Sequence, residues 1–176
     1  MRTLLLEGLF KSALSERVPP RDPLAEELGE AIARTAFKRL GRSLAIREVD
    51  AGSCNGCELE INALSNPYYD LERFGLRFVA SPRHADVLLV TGPVTKNMRK
   101  ALERTYEAMP APKWVVSAGD CAADGGCFAG SYAVVGGVSK VLPVDLHIPG
   151  CPPSPLELLR GLLTLLDTLN MPRGAQ

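Results

Sequence analysis

The sequence carries no excess of charge of either sign: twenty Lys and Arg stand against twenty Asp and Glu in 176 residues. Nucleic-acid-binding domains carry a basic surplus, so that class drops out and no nucleic acid is expected as a partner. No stretch approaches 18 consecutive apolar residues, which excludes a spanning helix and leaves peripheral contact or a partner as the route to a bilayer. A secretory leader is not expected either. In MRTLLLEGLFKSALSERVPP, Glu7 and Lys11 interrupt the apolar run and no convincing small-residue cleavage site follows. The chain reads as cytoplasmic. Internal repeats and low-complexity tracts are also missing.

What remains is an ordinary globular composition, 46% hydrophobic and 23% charged, at a length that supports one full core. Two regions are expected. Residues 1–23 form an arm: Leu5, Leu6, Leu9, Phe10 and Leu14 make an apolar stripe on a short helix, and VPPRDP then acts as a linker because its prolines remove backbone donors. This stripe is expected to dock on a groove of a membrane-embedded partner. Residues 24–176 form the body, opening with an amphipathic helix over 24–40 that ends near Gly41. Strands are expected at Leu44–Val49, Leu76–Val79, Asp86–Thr91, Lys113–Ala118 and Val144–Ile148. Helices are expected at Glu58–Leu64, Val94–Ala108 and Leu156–Leu169. This alternation predicts an α/β fold, a flavodoxin-like open and mostly parallel sheet with helices on both faces.

Five cysteines are an odd number, and in a reducing compartment thiols serve metal binding or catalysis. Cys54 and Cys57 follow the first strand, Cys121 follows WVVSAGD and Cys151 follows VDLHIPG. In an open parallel sheet these are carboxyl-edge loops, where ligands bind, so three loops bring four thiols to one edge. Each loop is rich in Gly or Pro, which permits close backbone approach and stiffens the turn. The amino terminus of the helix near Glu58 favours thiolate. Cys127 lies further into its loop. From spacing alone, three chemistries stay open: a polynuclear metal cluster, a thioredoxin-like pair in CNGC, and a four-thiolate zinc site with only one close-spaced pair. Buried unliganded thiols explain Cys127 better than the other four.

The segments AGSCNGCELEI, GDCAADGGCFAGSYAVVGG and LPVDLHIPGCPPSPLELL resemble the family joining nickel-iron hydrogenase small subunits to the 20 kDa subunit of respiratory Complex I. The resemblance covers roughly residues 44–170. It implies one 4Fe-4S cluster on Cys54, Cys57, Cys121 and Cys151, in an electron-transfer subunit of a membrane-associated oxidoreductase. Complex I members have adjacent cysteines in the first motif, whereas Asn55 and Gly56 separate Cys54 from Cys57 here, as in hydrogenase small subunits. The short length resembles energy-converting hydrogenases and formate hydrogenlyases. The alternatives are a Complex I-type NADH-quinone oxidoreductase subunit and, less favoured, a dithiol oxidoreductase.

By the same resemblance, the partners are a catalytic large subunit, a ferredoxin-like cluster subunit and membrane-embedded subunits at the cytoplasmic side of the membrane. No substrate chemistry is expected from this chain alone. An acidic residue after the second cysteine matters in hydrogenase small subunits, which points to Glu58 for proton transfer. The alternative is that Glu58 and Glu60 are first-turn carboxylates favoured by the helix dipole. His84 and His147 are expected to be structural, Asp120 and Asp145 to accept backbone hydrogen bonds beside the ligand loops, and Trp114 to lie in the core.

Overall fold

The computed structural model describes residues 20–168, so all but the last four residues of the arm and linker expected over residues 1–23 lie outside the described residues. Helix α1, Pro23–Leu40, begins where Asp22 Oδ1 accepts from Leu24 N at 2.9 Å and Pro23 supplies a preset φ. It ends at Gly41, whose φ of 66° suits a left-handed cap. Five parallel strands follow: β1 Leu44–Asp50, β2 Leu76–Phe78, β3 Val87–Thr91, β5 Trp114–Ala118 and β7 Leu146–Ile148. Their spatial order is β2-β1-β3-β5-β7, the flavodoxin-like order in which the chain direction across the sheet reverses between β1 and β3.

Strand alternation sends the two sides of the sheet into two cores. Leu44, Ile46, Val87, Leu89, Trp114 and Val116 face one side. There they meet Ile32 of α1, Ile61 of α2 (Gly56–Ala63), and Leu158, Leu162 and Leu165 of α5 (Pro155–Thr168). Val49, Leu88, Val90 and Val115 face the other, against Leu102 of α3 (Lys96–Ala108) and Ala122 of α4 (Asp120–Asp124). Helices cover both faces, as expected. Trp114 opens an interior strand and is 7% exposed. Each such large side chain contributes about 1.5–3 kcal/mol when fully buried, so the two cores suffice to fix the sheet.

One pairing was not anticipated. β4, Val94–Thr95, pairs antiparallel with β6, Val134–Gly136, in a separate small ladder. The helix expected from Val94 therefore starts at Lys96, where Thr95 Oγ1 accepts from Met98 N. Among the described residues no helix is long and apolar enough to cross a membrane.

Candidate metal centre

The carboxyl ends of β1, β3, β5 and β7 open into loops that meet at one place. Behind β1, Asp50 Oδ1 accepts from Gly52 N at 2.7 Å and Ser53 N at 2.6 Å, and Ser53 Oγ accepts from Asn55 N at 3.1 Å. These short-range bonds turn the chain sharply. Asn55 then takes a left-handed φ of 71°, a conformation that asparagine tolerates better than most residues, and α2 starts at once. Cys54 and Cys57 thus flank a helix start.

After β5, Gly119 leads into α4 with Cys121 in its first turn. After β7, Gly150 leads to Cys151. The two loops are tied together: Gly150 N donates to Asp120 Oδ1 at 2.9 Å and Asp120 N donates to Gly150 O at 2.8 Å. Beyond Cys151, Ser154 and Glu157 form a capping box that fixes the entry to α5. The Ser154 amide and hydroxyl hold the Glu157 carboxyl below its usual range.

These loops enclose a cavity of about 100 Å³ whose lining includes Cys54, Cys57, Cys121 and Cys151, together with Gly92 behind β3 and Asp120. Organic substrates occupy pockets of roughly 300–1,000 Å³, so this one suits a small, compact occupant. Cys127 does not line it. Gly119 is decisive for the shape: its φ is 89°, and a Cβ there would lie 2.7 Å from Cys57 Sγ.

The thiols lie close enough for each to feel the charge of the others. Burial first, then the charges of Glu58, Cys121, Cys54 and Cys151, push the Cys57 thiol up to about 12. Burial and Cys127 likewise push Cys121 up. Among the described residues no group of three or more His, Cys, Asp or Glu closes on a single metal ion.

Glu58 is 8% exposed, and neither carboxylate oxygen has a hydrogen-bond partner among the described residues. Glu60 is half-buried and does not line the cavity. His84 and His147 are exposed, and His147 Nδ1 lies 3.0 Å from Ser117 Oγ, away from the cavity lining. Asp120 borders the ligand loops as expected. Asp145 instead accepts from Val115 N at the opposite end of β7, because the loop before a strand cannot share the edge of the loop after it. Glu48 was not anticipated. Burial, then Glu58 and Asp50, push its carboxyl up to about 7. Its signal was the alternation Leu44, Ile46, Glu48, which puts a charged residue on a core-facing side.

Residues 54–165 match the family described as NADH ubiquinone oxidoreductase, 20 kDa subunit. The chain belongs to that family. Among curated members it is 44% identical over 164 residues to formate hydrogenlyase subunit 7 of Escherichia coli, covering 89% of this chain and 64% of that protein. The chain thus spans less than two thirds of that relative. It is 46% identical over 132 residues to a probable membrane-bound hydrogenase subunit of Pyrococcus furiosus, covering 75% of this chain and 79% of that one. Among solved structures, a chain of the membrane-bound sulfane sulfur reductase, an archaeal respiratory membrane complex, matches with a TM-score of 0.67 at 35% identity. That match covers 82% of this chain and 78% of the other.

Proposed function

We propose that this 20 kDa-family chain is an electron-transfer subunit holding one 4Fe-4S cluster on Cys54, Cys57, Cys121 and Cys151, beside the catalytic large subunit of a membrane-associated, hydrogenase-like complex. One observation carries the reading: four cysteines from the carboxyl ends of three parallel strands line a single small cavity. Four soft thiolates are the donor set a cubane takes. A tetrahedral zinc with sulfurs about 2.3 Å away would draw them onto one point and leave no such void. Once bound, a cluster of this kind supplies one-electron transfer tuned by hydrogen bonds and exposure.

The chain's own residues prepare that site. Four facing thiolates repel one another, which is part of why Cys57 holds its proton so firmly. Held by these four sulfurs, a cationic core would relieve the repulsion, and the thiols would give up their protons to solvent. Lacking a side chain, Gly119 leaves Cys57 Sγ its position, and Asp120 locks the Cys121 loop to the Cys151 loop. Glu58, buried and unpartnered next to Cys57, is the group we assign to hold a proton beside the site.

The dithiol oxidoreductase alternative uses the Cys54–Cys57 pair alone and gives no role to Cys121 and Cys151, which line the same cavity. The spacing Cys54-Asn55-Gly56-Cys57 and the names of the relatives favour hydrogenase-like partners over a quinone reductase. On this reading the chain sits at the cytoplasmic side of the membrane, held there by a ferredoxin-like subunit and membrane-embedded subunits.

Iron and acid-labile sulfide in anaerobically purified protein test the proposal. About four of each per chain are expected, as a cubane requires. Cys121→Ser or Cys151→Ser should abolish or convert the cluster, and Cys127→Ser should retain it. Stoichiometric zinc without iron, or loss of the cluster in Cys127→Ser alone, would overturn the assignment.

A further inference from the structure

The fifth cysteine is outside the ring of four, yet it touches one member of it. Cys121 lies in the first turn of α4, and Cys127 lies in the 3-10 turn Gly126–Phe128 that follows. Between them the chain doubles back through Gly125 and Gly126, with φ of 106° and 49°. Gly125 N donates to Cys121 O at 2.9 Å, and Gly126 N donates to Asp124 Oδ1 at 2.7 Å. The reversal is tight: a Cβ on Gly126 would stand 2.7 Å from Cys121 Sγ and 3.0 Å from its Cα. The amide and side chain of Cys127 are close enough to Cys121 to be among the causes that shift its thiol. Cys127 is exposed, whereas Cys121 is half-buried and lines the cavity.

We propose that Cys121 and Cys127 form a redox pair: in the cluster-free chain a peroxide converts them to a disulfide, and a dithiol reverses it. The consequence rests on the functional reading above, because a Cys121 tied to Cys127 is no longer available as a cavity ligand. The step balances. The exposed Cys127 thiolate attacks the peroxide, its O–O bond breaks, and a sulfenic acid forms with release of hydroxide. The Cys121 sulfur then displaces the sulfenic hydroxyl, the S–S bond forms, and water leaves with the thiol protons. Two electrons pass from the sulfur pair to the peroxide. A dithiol returns two electrons and two protons by exchange through a mixed disulfide. Cys127 is the first to react because it is the one solvent reaches, whereas Cys121 is half-buried.

The test uses the full chain, cluster-free and reduced, exposed to one equivalent of hydrogen peroxide, alkylated without reduction and cleaved before Asp124. The two cysteines then fall on separate peptides, and mass spectrometry should find them linked. The oxidised protein should lose most of its capacity for iron in anaerobic reconstitution, and dithiothreitol should restore it. Cys127→Ser should load iron equally with and without peroxide; circular dichroism checks its fold, which a substitution at this exposed position should leave intact. Linkage of Cys54 to Cys57 instead, no linkage at all, or equal peroxide sensitivity in Cys127→Ser would overturn the pairing. If the untreated chain binds no iron, the cluster reading fails, while the mass of the linked peptides still decides whether the pair forms.

Discussion

Replacing Gly119 by alanine separates a stability effect from a site effect. Its backbone, at φ 89° and ψ 154°, lies in territory that residues with a Cβ rarely enter, at a cost of about 1–3 kcal/mol. The added methyl carbon would also stand 2.7 Å from Cys57 Sγ and 3.4 Å from Gly150 O. Relieving that overlap costs about 1–3 kcal/mol more. Against a typical total of about 5–15 kcal/mol, Gly119→Ala should still fold, with a clearly lower urea midpoint. Because the yielding atom is the Cys57 sulfur, the variant should also take up much less iron than wild type. Gly41→Ala is the control: its φ is 66°, nothing lies within 4 Å of the would-be Cβ, and it caps a helix outside the cavity lining. It should lose about 1–2 kcal/mol and load iron normally. A Gly119→Ala chain with wild-type iron content would refute the idea that this glycine makes room for Cys57.

Glu48→Gln should show a pH-dependent gain. The folded state raises this carboxyl from 4.5 to about 7, so it binds more protons than the unfolded chain across that window, and stability falls as pH rises through it. The full shift is worth about 3 kcal/mol, which solvent screening at this partly exposed site reduces to about 1–2. The glutamine variant should therefore be more stable than wild type above pH 7 and lose that advantage near pH 4.5, and an equal difference at both ends would contradict the argument. Asp86→Asn should cost about 2–3 kcal/mol, since the 4% exposed carboxylate accepts from Arg42 and from Ala45 N. Lying at the opposite end of the strands from the cavity, it should leave iron uptake by the folded protein unchanged, and a selective loss of iron would disprove that separation.

The five parallel strands were legible to within two residues at each end because each is a short apolar run bounded by Gly, Pro or charged residues. Their order, β2-β1-β3-β5-β7, was not, because other doubly wound sheets share the same alternation with helices. Convergence of the cysteine loops was legible, since loops that leave parallel strands share an edge. The β4–β6 ladder was not. Val94–Thr95 is too short to show a period, and its pairing to Val134–Gly136 spans some forty residues of chain. Asp145 was misplaced by reading proximity in sequence to Cys151 as proximity in space, when three strand residues intervene. Glu58 was visible as an acidic residue beside Cys57. Its burial without a partner was not, because that depends on α2 packing over the sheet.

Buried carboxyl groups are treated differently at the two ends of the sheet. At the amino end Asp86 is fully used by Arg42 and Ala45, and Lys113 donates to Tyr106 O and Met109 O beyond the end of α3, where its charge also suits the helix dipole. At the carboxyl end Glu58 is buried without a partner, Thr91 Oγ1 is buried and unpartnered, Glu48 is pushed up to about 7 and Cys57 to about 12. Asn55 takes a left-handed conformation there as well. Arg39 Nε at the end of α1 and Arg47 Nε within β1 are also buried without a partner among the described residues, but only at the carboxyl end do such groups surround a cavity, each costing about 1–3 kcal/mol. Proteins that break local rules do so where function requires it. The amino-end clamp and the two apolar cores supply the rigidity that lets the opposite edge hold four thiols, a buried carboxylate and strained backbone in one place, as the cofactor site proposed above requires.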